Sequence, residues 1–207
     1  MPALTVCVDG GLLARVCTDG LDVLAINVGG TRVDDELATI HVNGGAYPED
    51  GEHSHLIWID RFVLQPGQQV QIELSDAGAD SQPGMTIDQF PPEPNPTPPA
   101  EFKTLAQTVA ELKERTLTRE GYAFEAQLPA GEVQRTASLP NEHGFGFSVL
   151  WNSHRPERAS VSLHTYTLDG LEHGEDGRDH ARQYLRPGQS VGIKVEAQPS
   201  FQSIVKG

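Results

Sequence analysis

Two stretches of this chain, LQPGQQVQIEL at 64–74 and LRPGQSVGIKV at 185–195, write the same turn and strand 121 residues apart. Sliding the sequence on itself by that distance sets Leu64, Pro66, Gly67, Gln68, Val70 and Ile72 over Leu185, Pro187, Gly188, Gln189, Val191 and Ile193 without a gap. The same shift places Arg61 on Arg182, LATIHV (37–42) on RASVSL (158–163), and Leu24, Ile26 and Val28 on Phe145, Phe147 and Val149. Matches this far from the turn argue for a duplicated unit. A period of 121 residues is far longer than the roughly 20–50 of solenoid repeats, so each copy is expected to be a domain with its own core.

Within each copy the strand signals recur in step. Val70, Ile72 and Leu74 alternate with Gln69, Gln71 and Glu73, the period of two of a strand with one buried and one wet face. Six such segments are expected in each half. They run at 4–8, 12–17, 23–28, 37–42, 55–64 and 69–75, and again at 122–127, 132–138, 144–150, 158–165, 178–185 and 190–196. The expected fold is mainly β: a tandem duplication of two small β-sandwich or open-barrel units. An acidic N-terminal unit spans 1–80, a Pro-rich linker with one amphipathic helix spans 81–120, and the second unit spans 121–207. In the quoted turn, proline presets φ and glycine accepts a positive φ, the type II recipe. It is a folding device and carries no chemistry.

The linker SQPGMTIDQFPPEPNPTPPA carries Pro91, Pro92, Pro94, Pro96, Pro98 and Pro99, which deny the backbone N–H donors and favour a semi-rigid spacer. After it, Phe102, Leu105, Val109 and Leu112 fall at helical spacing, with Glu111 one turn before Arg115. Proline in the first turn would start this helix. Its apolar stripe either covers an open end of a β unit or, through 101–115, docks a second copy or a partner. Cys7 and Cys17 flank a hairpin at Asp9-Gly10-Gly11; pairing Cys7 with Ala14 leaves Cys17 out of reach, so free thiols are expected.

Nothing in the chain approaches the roughly 18–20 consecutive apolar residues of a membrane span. MPALTVCVDGG has no basic segment followed by an apolar one, so a cytoplasmic protein is expected. There is no G-x-S-x-G, P-loop, dinucleotide-binding G-x-G-x-x-G or H-E-x-x-H, and the expectation is a non-catalytic chain without a cofactor.

Charge is more informative. Residues 1–85 hold 13 Asp and Glu against 3 Lys and Arg, whereas residues 121–207 hold 10 against 8. The acidic excess of the first unit gathers in predicted loops, with Asp34, Asp35, Glu36, Glu49, Asp50, Glu52 and Asp60 as candidate partner-binding residues. Such a field repels nucleic acid and anionic membranes and steers a basic protein inward. An inhibitor or immunity-type protein fits this description. A structural component of a secretion, phage or surface complex is the alternative. His53 and His55, two apart behind Glu49, Asp50 and Glu52, are weak metal candidates; the matching loop of the second unit holds His173, Glu175, Asp176 and His180, but the histidines do not superpose.

Overall fold

The computed structural model describes residues 1–89 and 103–198. Pro91, Pro92, Pro94, Pro96, Pro98 and Pro99 of the linker and Phe102 lie outside them. The chain is mainly β, with twelve strands: β1 (Ala3–Val8), β2 (Gly11–Cys17), β3 (Val23–Thr31), β4 (Ala38–Ala46), β5 (Ser54–Leu64), β6 (Gln69–Ser75), β7 (Gly121–Gln127), β8 (Val133–Ala137), β9 (Gly144–Asn152), β10 (Ala159–Tyr166), β11 (Arg178–Leu185) and β12 (Gln189–Gln198). Each falls on an expected segment. Two antiparallel sheets of six pack face to face, the first in the order β2-β1-β6-β12-β7-β8 and the second β11-β10-β9-β3-β4-β5.

Both halves contribute three strands to each sheet, joined by β6 to β12 and by β3 to β9. A separate core in each half is therefore not what forms. Leu24, Ile26, Val70 and Ile72 lie in one buried cluster with Phe145, Phe147, Val191 and Ile193. A half of this length has little interior of its own, and continuing each sheet into its copy removes two edge strands while doubling the core. Each of these fully buried aliphatic side chains contributes about 1.5–3 kcal/mol.

The junctions have pseudo-twofold symmetry. Asn27 opposes Ser148 and Gln71 opposes Gly192, each residue facing its own counterpart. Loop bonds repeat in the same way: Ser153 N–H donates to Asp22 O as Arg32 N–H does to His143 O, both at 2.8 Å. The repeated turn closes identically too. The Gln68 amide oxygen accepts from Gln65 N–H at 2.9 Å, and Gln189 accepts from Arg186 N–H at 2.9 Å; Gly67 and Gly188 take φ of 88° and 81°.

The offset of 121 is not unbroken, however. Leu4 opposes Leu74 while Phe124 opposes Val195, so the first hairpins correspond at 120. In β5 an extra residue bulged between the partners of Ile40 and Val42, absent from β11, shifts it to 122: Ile57 and Ile59 face Asn43 and Val42 as Asp179 and Ala181 face His164 and Leu163, across a second bulge that both strands share. Trp58 and His180 are therefore counterparts.

The β1–β2 hairpin turns on Asp9 and Gly10, both at positive φ, which is type I′ geometry. Val8 opposes Gly11 and Cys7 opposes Leu12, and a bulge then sets Val6 against Ala14; the expected pairing of Cys7 with Ala14 does not form because the turn centres on Asp9-Gly10, one residue before Gly10-Gly11. Cys17 lies opposite Ala3, and both thiols are free.

Two helices sit outside the sheets: α1 (Leu105–Glu114) and α2 (Leu168–His173). Helix α1 begins at Thr104 through a capping box with Gln107, not at proline, because the Thr hydroxyl and the Gln carboxamide satisfy the orphan donors reciprocally. Arg115 closes the helix and reaches Asp34, while Glu111 pairs with Lys103, so the expected Glu111–Arg115 pair is absent. Val109 is fully buried and Leu105 half exposed. Lys113 fixes α1 to α2 through Asp169 at 2.7 Å and Glu172 at 3.1 Å. Among the described residues no helix is long and apolar enough to cross a membrane.

Candidate functional site

The outward faces of the two sheets differ in kind. On the first sheet Gln69, Gln71, Glu73, Glu125 and Glu196 stand exposed, an ordinary solvated face. A hollow of about 210 Å³ there is lined by Glu125, Arg135, Lys194 and Glu196, whose charges pair with one another. On the second sheet the outward positions Asn27, Gly29, Thr31, Thr39, His41, Gly146, Ser148, Ser162, His164 and Tyr166 are all half-buried and none of them is a carboxylate or a permanent cation, whereas Leu150 and Ser160, farther along β9 and β10, are exposed. Half-burial on an outer face means that the surface is concave.

Glycines make the concavity. Gly29 and Gly146 are cross-strand neighbours at the junction of the two halves. A Cβ on Gly146 would lie 2.7 Å from the His164 ring, and one on Gly144 would run into the Tyr166 hydroxyl. The two rings therefore lie down over β9. The resulting groove, about 380 Å³, is lined by His41, Ser148, His164, Tyr166 and Asp34. It continues past His164 and Tyr166 into a second hollow of about 560 Å³ bounded by Leu171, Glu175, Asp176, Asp179 and Arg182.

The walls come from loops held in place by buried bonds. Arg119, nine-tenths buried, donates to the carbonyls of Thr31, Asp34 and Asp35 and to the Tyr122 hydroxyl. Arg32 donates to the carbonyls of Arg119, Pro140 and Glu142. Planar, permanently charged guanidinium forks suit such multi-carbonyl sites. Asp34 itself accepts from the Thr31 hydroxyl and pairs with Arg115 at 3.5 Å. On the opposite wall Gly174 ends α2 in the left-handed conformation, which only a residue without Cβ adopts cheaply, and the chain turns through Glu175 and Asp176 into β11.

Burial, with a smaller push from Asp34, raises the Tyr166 phenol above its usual range, so it remains a neutral donor. His41 bonds Thr39 at 3.1 Å, and the Ser148 and Ser162 hydroxyls bond each other at 2.9 Å.

The sequence-expected residues are distributed differently from the expectation. The Asp34–Glu36 loop joins β3 to β4 and the Glu49–Glu52 loop joins β4 to β5, so the nine-residue β4 holds them at opposite ends, roughly 27 Å apart. They do not gather into one surface. Asp34 joins the groove, Asp35 is exposed with its carbonyl on Arg119, and Glu36 pairs with Arg61 at 2.8 Å. Glu49, Asp50 and Glu52 are exposed on their loop, and Asp60 is exposed on β5.

His53 stacks edge-on against Tyr47, whose hydroxyl bonds His55 at 3.2 Å. Among the described residues no group of three or more His, Cys, Asp or Glu is placed to hold a metal ion. His173 bonds the Asp169 carbonyl within α2, and His180 points inward, bonded to Thr136 of the first sheet and Thr165 of the second. Glu175, Asp176 and Asp179 are the acids that the groove brings together with Asp34. Their signal in the sequence was the loop EHGEDGRDH.

No protein-family model matches the chain, and neither a curated protein nor a solved structure does.

Proposed function

We propose that the chain is a non-catalytic binding protein that captures a basic protein partner in the acid-walled groove on the outer face of the second sheet. The observation that carries this reading is the gathering of Asp34, Glu175, Asp176 and Asp179 around a floor of His164 and Tyr166. The floor supplies hydroxyl and imidazole groups at the junction of the two halves, and Arg182 answers only Asp179. A lysine or arginine entering here meets carboxylates on two walls and an aromatic surface beneath, a combination that favours cations. The net charge of −14 draws such a partner in. An inhibitor or immunity-type protein capping a cationic site on its target would bind in this way, and the two free thiols suit a reducing, cytoplasmic setting.

The test is a salt series on the captured partner with two charge reversals. Glu175→Lys with Asp176→Lys should weaken binding by at least about tenfold at low salt, and less at high salt. Glu49→Lys with Asp50→Lys, at the opposite end of β4, should leave it within about twofold. The reverse ranking would move the binding surface to the loop at 49–52 and end the groove reading.

A further inference from the structure

The two halves are copies, yet their open sides are finished differently. In the first half the segment after β6 crosses from one sheet to the other. Ser81 N–H donates to the Arg15 carbonyl on β2 at 2.9 Å, and Met85 exchanges two backbone bonds with Ile57 on β5, each 2.9 Å. The Gln82 carboxamide donates to the Trp58 carbonyl at 2.7 Å. On the other side, His180 replaces Trp58, and Gln134 of β8 donates to its carbonyl at 2.9 Å. The counterpart of Ile57 is Asp179, which faces His164 in the same register as Ile57 faces Asn43. Its N–H and C=O therefore point out of the sheet edge, where no backbone bridge forms among the described residues.

We infer that β11 is a strand-accepting edge, on which an extended basic segment of the partner adds a seventh strand to the second sheet. Asp179 would then exchange the backbone bonds that Ile57 exchanges with Met85. This rests on the reading of the groove as a site for a basic partner and states how that partner is held. A bulge and charged side chains ordinarily protect an edge, but β5 carries the same bulge and still takes Met85. The charges on this edge sort partners by sign. Glu175, Asp176 and Asp179 outnumber Arg182 along the hollow that adjoins β11, so alternate side chains of an added strand meet carboxylates. Backbone bonds supply affinity in this mode, and the alternate side chains supply specificity.

The test uses the full chain and a nine-residue peptide of alternating Lys and Val, with a Glu–Val peptide and a Lys–Val peptide N-methylated at alternate bonds as controls. Hydrogen exchange at the Asp179 amide should slow by at least about tenfold with Lys–Val alone. Shifts at His164, Tyr166 and Asp176 without slowing at Asp179 would overturn the strand mode and leave the groove reading intact. No shift anywhere would overturn both. Asp179 protected before peptide is added, and exposed on deleting 199–207, would assign the edge to the chain's own C-terminus and overturn the inference. Equal protection by the N-methylated peptide would overturn it as well.

Discussion

Replacing Glu142 by Gln should cost more stability than any single surface change in this chain, and by an amount that depends on pH in a defined way. The carboxylate is almost fully buried and accepts from Arg178 at 2.8 Å through both oxygens and from Leu139 N–H at 2.6 Å. Burial alone would raise its pKa. Arg178, the Leu139 N–H and the Thr165 hydroxyl outweigh that penalty and hold it at about 2, against 4.5 for a free carboxyl. As the pH falls the unfolded chain takes up this proton first. The stabilisation is therefore complete above about pH 4.5 and is lost as the pH drops toward 2. A difference of about 2.5 units corresponds to about 3 kcal/mol at pH 7, about 2.5 kcal/mol at pH 4 and about 1.4 kcal/mol at pH 3.

Urea unfolding followed by the fluorescence of the buried Trp58 and Trp151 measures both proteins at each pH. The gap between parent and Glu142→Gln should narrow by about half between pH 7 and pH 3. A gap that stays constant over this range would mean that Glu142 acts through packing and that its ion pair with Arg178 contributes nothing.

Three further outcomes follow from the same geometry. Gln68→Ala and Gln189→Ala each remove the amide oxygen that closes a Pro-Gly turn; each should cost about 1 kcal/mol in denaturant unfolding. The double variant should show their sum, because the turns lie roughly 20 Å apart along the paired strands. Arg119→Lys loses the fork that holds the carbonyls of Thr31, Asp34 and Asp35, and about 2–3 kcal/mol of stability should go with it, read by thermal unfolding. Gly146→Ala pushes a Cβ to 2.7 Å from the His164 ring. The ring can swing away, so stability should change by less than about 1 kcal/mol while the His164 resonances shift and capture of the partner weakens.

The strands were legible because most of them bury one face, and period-two alternation records that directly in residues such as Val70, Ile72 and Leu74. That the halves share both sheets was not legible. Alternation says which face of a strand is buried and nothing about its neighbour, so β3 beside β9 could not be read from Val23–Thr31 alone. The additional bulge in β5, between the partners of Ile40 and Val42, hid the match of His180 to Trp58, since that one extra residue changes the repeat between 121 and 122. Helix α2 escaped as well: LDGLEH is six residues long with an internal glycine, too short for a helical period to show.

Charge along the chain marks the acidic loops but carries no information about which end of a strand each one occupies. Asp34 and Asp50 are separated by β4 and so face different solvent. The groove did leave a trace. Outward positions Asn27, Gly29, His41, Gly146, Ser148 and Ser162 lack the carboxylates and ammonium groups that Glu73, Glu125 and Lys194 provide on the other sheet, and a solvated face rarely does without them.

Amide and side-chain chemical-shift mapping of the full chain against its captured basic partner locates the binding surface residue by residue. A partner held in the groove should perturb Asp34, His41, His164, Tyr166, Glu175 and Asp176, with the shifts fading as salt is raised. Perturbations centred instead on Gln69, Gln71 and Glu73 of the first sheet, or on Glu49–Glu52, with the groove residues unmoved, would contradict it.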